Sequence, residues 1–168
     1  MKKTNKGFSM VELIIVIAIM AILAGALAPA LIKYINKSRI STDIQTGQTI
    51  ATAIQTAVSN EQGYDCASAL HGSQVLDSTY TSSASDVFKK SVASTIGGTS
   101  EPKTKSKKCM AGQATSDANK HFVFTVDPAA NTVFVYTGAG SGSGKHEVYP
   151  TADDCLTNDE ATTCAGTH

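Results

Sequence analysis

The 168-residue sequence has no surplus of charge of either sign, with fourteen Lys and Arg against fourteen Asp and Glu. Its densest basic stretch, "EPKTKSKKC" at 101–109, has four lysines with no aromatic residue between them. A nucleic-acid partner is therefore not expected, because such surfaces combine a strong positive field with stacking platforms, and the stretch reads as a solvated loop. The patterns that carry enzyme chemistry are also missing: there is no G-x-S-x-G, no P-loop and no H-E-x-x-H. "GSGSG" at 140–144 lacks a following helix and the Lys-Ser/Thr pair of a phosphate loop, so it reads as a linker. Cys66, Cys109, Cys155 and Cys164, with His71, His121, His146 and His168, show no C-x-x-C or H-x-x-x-H spacing. No metal site, no cofactor and no enzymatic activity are expected.

What the sequence does have is one long apolar run. Leu13 to Ile32 is twenty residues without a charge, bounded by Lys6 on one side and by Lys33, Lys37 and Arg39 on the other. A helix of that length spans about 30 Å, the hydrocarbon core of a bilayer. The run exceeds the roughly 7–15 residues of a cleaved signal's apolar region, although "AGALAPA" at 24–30 imitates a small-residue cleavage site. Two residues do not suit a plain anchor. Glu12 is a carboxylate at the edge of the apolar run, where a charge needs a partner. Pro29 removes a backbone hydrogen bond inside the helix and favours a kink.

Together these residues carry a resemblance. "KGFSMVEL" at 6–13 resembles the prepilin motif of type IV pilins: a short basic leader, Gly7, Phe8, and Glu12 four residues on, followed by an apolar helix with an internal proline. The likeness covers roughly residues 1–55. It implies that a prepilin peptidase cuts between Gly7 and Phe8 and N-methylates Phe8. Once Lys2, Lys3 and Lys6 are gone, the remainder holds eleven basic and fourteen acidic residues, net −3. The resemblance also accounts for Glu12. The cut creates an ammonium at Phe8, one helical turn away, and in a packed filament Glu12 reaches that of a neighbouring subunit. Pairing reduces the cost of both buried charges and sets the register of assembly.

After the membrane segment, Ile40, Ile44, Gly47, Ala51, Ile54 and Val58 step by four and three and mark one helix face. Thr42, Asp43, Gln45, Thr49, Thr52 and Thr56 are expected to face solvent. The spacing predicts one helix from about Phe8 to Glu61, ended by Gly63. Residues 64–84 read as a largely irregular connection. "SDVFKKSVAST" at 85–95 reads as a short helix capped by Ser85 or Asp86, with Val87, Phe88 and Val92 inward and Gly97 and Gly98 ending it. "HFVFTVD" at 121–127 and "TVFVYTG" at 132–138 alternate around a "PAAN" turn, and "KHEVYP" at 145–150 supplies a third strand stopped by Pro150. The expected fold is α+β and pilin-like: a long N-terminal helix, its first half transmembrane, packed by its second half against a three-stranded antiparallel sheet. The expected division is a leader at 1–7, a membrane and filament-core helix at 8–32, and an exported head at 33–168.

An exported head permits disulfides, and four cysteines allow three pairings. Cys155 with Cys164 is the nearest pair, which leaves Cys66 with Cys109; free thiols and a zinc site are the alternatives. The resemblance implies a structural subunit of a type IV pilus, serving adhesion, twitching motility, aggregation or DNA uptake. Its implied partners are copies of itself, the prepilin peptidase and the membrane assembly machinery with its ATPases. It would sit in the membrane as a single-pass protein before assembly, then on the cell surface. A minor pilin or a type II secretion pseudopilin is the alternative. Pseudopilins often carry calcium, for which Asp153, Asp154, Asp159 and Glu160 would be the ligands here.

Overall fold

The computed structural model describes residues 7–70, 72–77, 80, 86–97, 101–106, 121–137, 146–152 and 156. The chain divides into two compact units, Met1–Lys37 and Ser38–His168. One helix, α1 (Met10–Val58), contributes to both. In the first unit it runs on through Pro29, whose missing N–H leaves the Gly25 carbonyl without its helical donor.

The second unit is α+β. After α1 come α2 (Glu61–Ser68), β1 (Gln74–Leu76), α3 (Val87–Ile96), β2 (Phe122–Asp127), β3 (Thr132–Thr137) and β4 (His146–Tyr149). The strands form one antiparallel sheet in the order β1-β2-β3-β4. The three strands expected from the sequence are β2, β3 and β4. The fourth, β1, pairs Val75 with Val123 inside the stretch expected to be irregular. A three-residue strand is too short to show alternation, and only the neighbouring strand makes it one.

Two further expectations are corrected here. The long helix stops at Val58, and Gly63 does not end it but lies inside α2. Asn60 starts that new helix, its side chain accepting from the Gln62 N–H at 3.1 Å. Glycine at 63 has a packing reason, since a Cβ there would collide with the Ala57 carbonyl. In α3, Asp86 is the cap, accepting from the N–H groups of Phe88 and Lys89 at 3.0 and 3.3 Å. Gly97 closes that helix at φ 111°, a left-handed conformation suited to glycine. Phe88 and Val92 point inward as expected, whereas Val87 is exposed.

β3 alternates as the sequence pattern requires, whereas β2 buries Phe122, Val123 and Phe124 in succession. Val133, Val135 and Thr137 of β3 are buried, and Phe122 and Phe124 lie opposite Thr137 and Val135 across the ladder. The turn is held by Asp127, which accepts from the N–H groups of Ala129 and Ala130, and Asn131 takes φ 51°. Between β3 and β4 the register shifts: Val135 faces Tyr149 and Tyr136 faces Glu147, which leaves Val148 as the extra residue of a bulge. That bulge brings Val148 against Gly47 of α1. The core gathers Ile50, Ile54, Leu76, Phe88, Phe122, Phe124 and Leu156, all but fully buried. At about 1.5–3 kcal/mol for each large side chain removed from water, this cluster is the main stabilising term of the unit.

Asp43 departs most from expectation. It is not on the solvent face but 1 % exposed. Its carboxylate accepts from the Lys105 N–H at 2.8 and 3.0 Å and from the Ser106 N–H at 2.7 Å. Residues 101–106 are accordingly no loose basic loop. Asp43 ties them to α1, a β-bridge joins Lys103 to His121, and Glu101 pairs with Lys103 at 2.8 Å. A buried carboxylate is tolerated when amide donors replace its water shell, and the two turned toward Asp43 do so.

Candidate functional site

The site lies in the first unit, at the start of α1. Gly7, Phe8 and Ser9 precede the helix, which begins at Met10. Glu12 folds back so that its Oε2 accepts from the Ser9 N–H at 2.9 Å, while the Ser9 carbonyl accepts from the Leu13 N–H at 3.3 Å. Ser-x-x-Glu is the capping-box spacing, in which the third helical residue satisfies the backbone donor of the cap. This is the local reason that the helix starts where it does. The negative charge also stands at the positive end of the helix macrodipole. Sequence reasoning singled out Glu12 and passed over Ser9, although the spacing that announces a capping box was legible.

Among the described residues, none outside the helix start packs on the cap. Phe8 is 91 % exposed, and a Cβ added at Gly7 would meet no atom within 4 Å. The apolar side chains that follow are exposed from Met10 through Ile35. The most apolar eighteen-residue window in α1 has a mean hydropathy of 2.7 and none of it is buried, so α1 is long and apolar enough to cross a membrane. An apolar surface this continuous needs lipid or protein to cover it.

The other sequence candidates lie elsewhere. Cys66 is on α2, half-buried against the core, and carries a free thiol, while its expected partner Cys109 lies outside the described residues. Packed in that way, Cys66 acts as a small apolar side chain. Cys109, Cys155 and Cys164 fall outside the described residues, as do His71, His168, Asp153, Asp154, Asp159 and Glu160. His121 lies 3.9 Å from Glu101 and His146 is buried in β4. Among the described residues, no three His, Cys, Asp or Glu side chains are grouped to hold a metal ion.

Comparison with known proteins adds to this geometry. Residues 2–28 match the family model of the prokaryotic N-terminal methylation motif, a stretch that includes Gly7, Phe8, Glu12 and most of the apolar run. The chain is similar to a type IV major fimbrial protein FimA of Dichelobacter nodosus, 40 % identical over 83 residues, which cover 48 % of this chain and 53 % of that one. A second FimA of Dichelobacter nodosus is 43 % identical over 68 residues, 39 % of this chain and 43 % of its own. The chain thus spans about half the length of the curated relatives it matches. No solved structure matches. The motif, the long apolar helix and the small antiparallel sheet support a protein of the type IV pilin class. Within that class, the likeness supports the major, fimbrial kind, and the minor-pilin and pseudopilin alternatives are not favoured.

Proposed function

We propose that this chain is the structural, repeating subunit of a type IV pilus, and that it is no enzyme. The observation that carries this reading is a lone carboxylate, Glu12, at the head of an apolar helical run exposed from Met10 through Ile35 and four residues after Phe8. Residues 1–7 are the leader and residues 8–32 the segment that lies first in the membrane and then in the filament core. Residues 33–168 are the exported head. A prepilin peptidase cuts after Gly7 and N-methylates Phe8; the membrane assembly machinery then passes the subunit into a polymer of identical copies on the cell surface.

Before assembly Glu12 has a partner in its own chain, the Ser9 N–H. That hydrogen bond satisfies an acceptor but cancels no charge. In the filament the Phe8 ammonium of a neighbour supplies the missing positive charge in a site from which water is excluded, where an unpaired charge is most costly. Pro29 gives the helix a point at which it can bend or open locally during packing.

Intact-mass measurement of the protein sheared from the cell surface tests the proposal. The expected mass is that of a chain beginning at Phe8 with one added methyl group. A chain beginning at Met1 or near Ala30 overturns it.

A further inference from the structure

Beside the helix of the second unit runs an open cleft of about 440 Å³, walled by α1 on one side and by residues 101–105 on the other. Both walls are fixed. One is regular helix. The other is held by the amides that Asp43 binds, by the Lys103–His121 bridge and by the Glu101–Lys103 ion pair. A pocket whose walls are tied down in this way binds without the cost of ordering them.

The chemistry inside is rich in acceptors, with Gln45 of α1 the one amide that can also donate. Thr42, Thr46 and Thr49 line the α1 wall. Each spends its hydroxyl proton on a carbonyl one turn back, those of Ser38, Thr42 and Gln45, at 2.8, 2.8 and 3.0 Å. Their oxygens therefore offer lone pairs to the cleft and no proton. Opposite them, Lys103 neutralises Glu101, and Lys105 leaves one positive charge over among the lining residues. Ile96 and Pro102 add a small apolar patch. An occupant matched to this set donates several hydroxyl protons, carries one anionic group and has a compact apolar face. An inorganic anion uses the lysine and the Gln45 amide but none of the threonine acceptors, and a neutral sugar leaves the lysine unanswered.

We infer that this cleft is a binding site for an acidic saccharide, with the carboxylate of a uronic-acid unit at Lys105 and its hydroxyls donating to the threonine oxygens. All of its lining residues lie in the second unit. It is tested by titrating a galacturonic acid trimer, and the neutral galactose trimer, into the full chain in detergent by calorimetry. Saturable binding of the acidic trimer is expected, with the neutral one weaker by about tenfold, the loss of one charge-assisted contact. Lys105→Glu should weaken the acidic trimer by at least about tenfold and Thr46→Val by a few-fold. Lys90→Glu, the same charge change on exposed α3, should leave binding unchanged. Equal binding of both trimers, binding of neither, or equal losses from Lys105→Glu and Lys90→Glu overturn the inference. The last outcome reduces the effect to net charge.

Discussion

Val148 closes directly on Gly47: a Cβ at position 47 would lie 2.5 Å from Val148 Cγ2 and 3.2 Å from its Cβ. The bulge in β4 aims Val148 at the helix, and the absent side chain at 47 lets the two backbones approach. Glycine in a helix interior costs about 1 kcal/mol against alanine, so its presence here reflects packing and not propensity.

Gly47→Ala should therefore destabilise the head although it improves helix propensity. Overpacking costs about 1–3 kcal/mol against a propensity gain of about 1 kcal/mol, and the branched, buried Val148 has little room to yield. Thermal or denaturant unfolding checks this. In the double variant with Val148→Ala the losses should be less than additive, which separates this contact from a general effect on the helix.

Asp43→Asn should cost about 2–4 kcal/mol, because hydrogen bonds to a charged acceptor contribute about 1.5–3 kcal/mol and the incoming amide turns a donor toward the Lys105 and Ser106 donors. Urea titration measures the loss. Hydrogen exchange should show the Lys105 and Ser106 amides among the first to lose protection. An unchanged midpoint would mean that Asp43 tolerates its burial without contributing through these bonds.

Tyr80 is 6 % exposed, packs edge-on against Phe124, and its hydroxyl finds no hydrogen-bond partner among the described residues. Burial, then the nearby Asp86 carboxylate, raise its pKa above the ordinary phenol value. The neutral form is thus favoured in the folded state. That contribution is complete below the unfolded pKa of about 10 and is lost as pH climbs above it. Stability should fall with pH in that alkaline range, and Tyr80→Phe should flatten the fall while being neutral or slightly stabilising at pH 7. Thermal melts of both proteins across the alkaline range are the check.

Much of the head was legible in the sequence because its signals are local. The β2–β3 hairpin shows alternation over six residues on each side, and α3 shows both a capping Asp86 and a terminating Gly97. The misses are of another kind. β1 exists only through its pairing with β2. Asp43 was placed on the solvent face with its threonine and glutamine neighbours, yet 43, 47, 50, 54 and 57 step by four and three, and all are buried. The spacing is compatible with burial of Asp43, but its polarity argued against it, and the amides that stabilise the buried carboxylate lie 62 and 63 residues along the chain. At the N-terminus the long apolar helix and the carboxylate at its start were legible, whereas Ser9 was not, since its contribution is a backbone N–H.

Position 7 gives a prediction about a partner. Among the described residues, its chain neighbours apart, none has an atom within 4 Å of a Cβ at Gly7. Gly7→Val should leave folding and membrane insertion untouched and still block processing, because the demand for glycine comes from the peptidase that handles the bond. Immunoblotting for the uncut precursor in membranes is the readout. Normal cleavage would contradict the assignment of the site.

The central claim, that Glu12 supplies the charge which admits the Phe8 ammonium into the filament core, is tested most directly by Glu12→Gln. Glutamine also serves as the third residue of a capping box, so the hydrogen bond from the Ser9 N–H is retained and the helix starts at the same place. Only the charge is lost. A buried pair broken on one side costs about 3–5 kcal/mol, and the loss recurs at every subunit. The measurement is the yield of sheared surface filaments set against the membrane level of processed subunit. The account predicts normal cleavage after Gly7, an undiminished processed pool, and filaments reduced as severely as in Glu12→Ala. Filaments at the unmodified yield from Glu12→Gln would show that the cap alone, and not the charge, is what assembly requires.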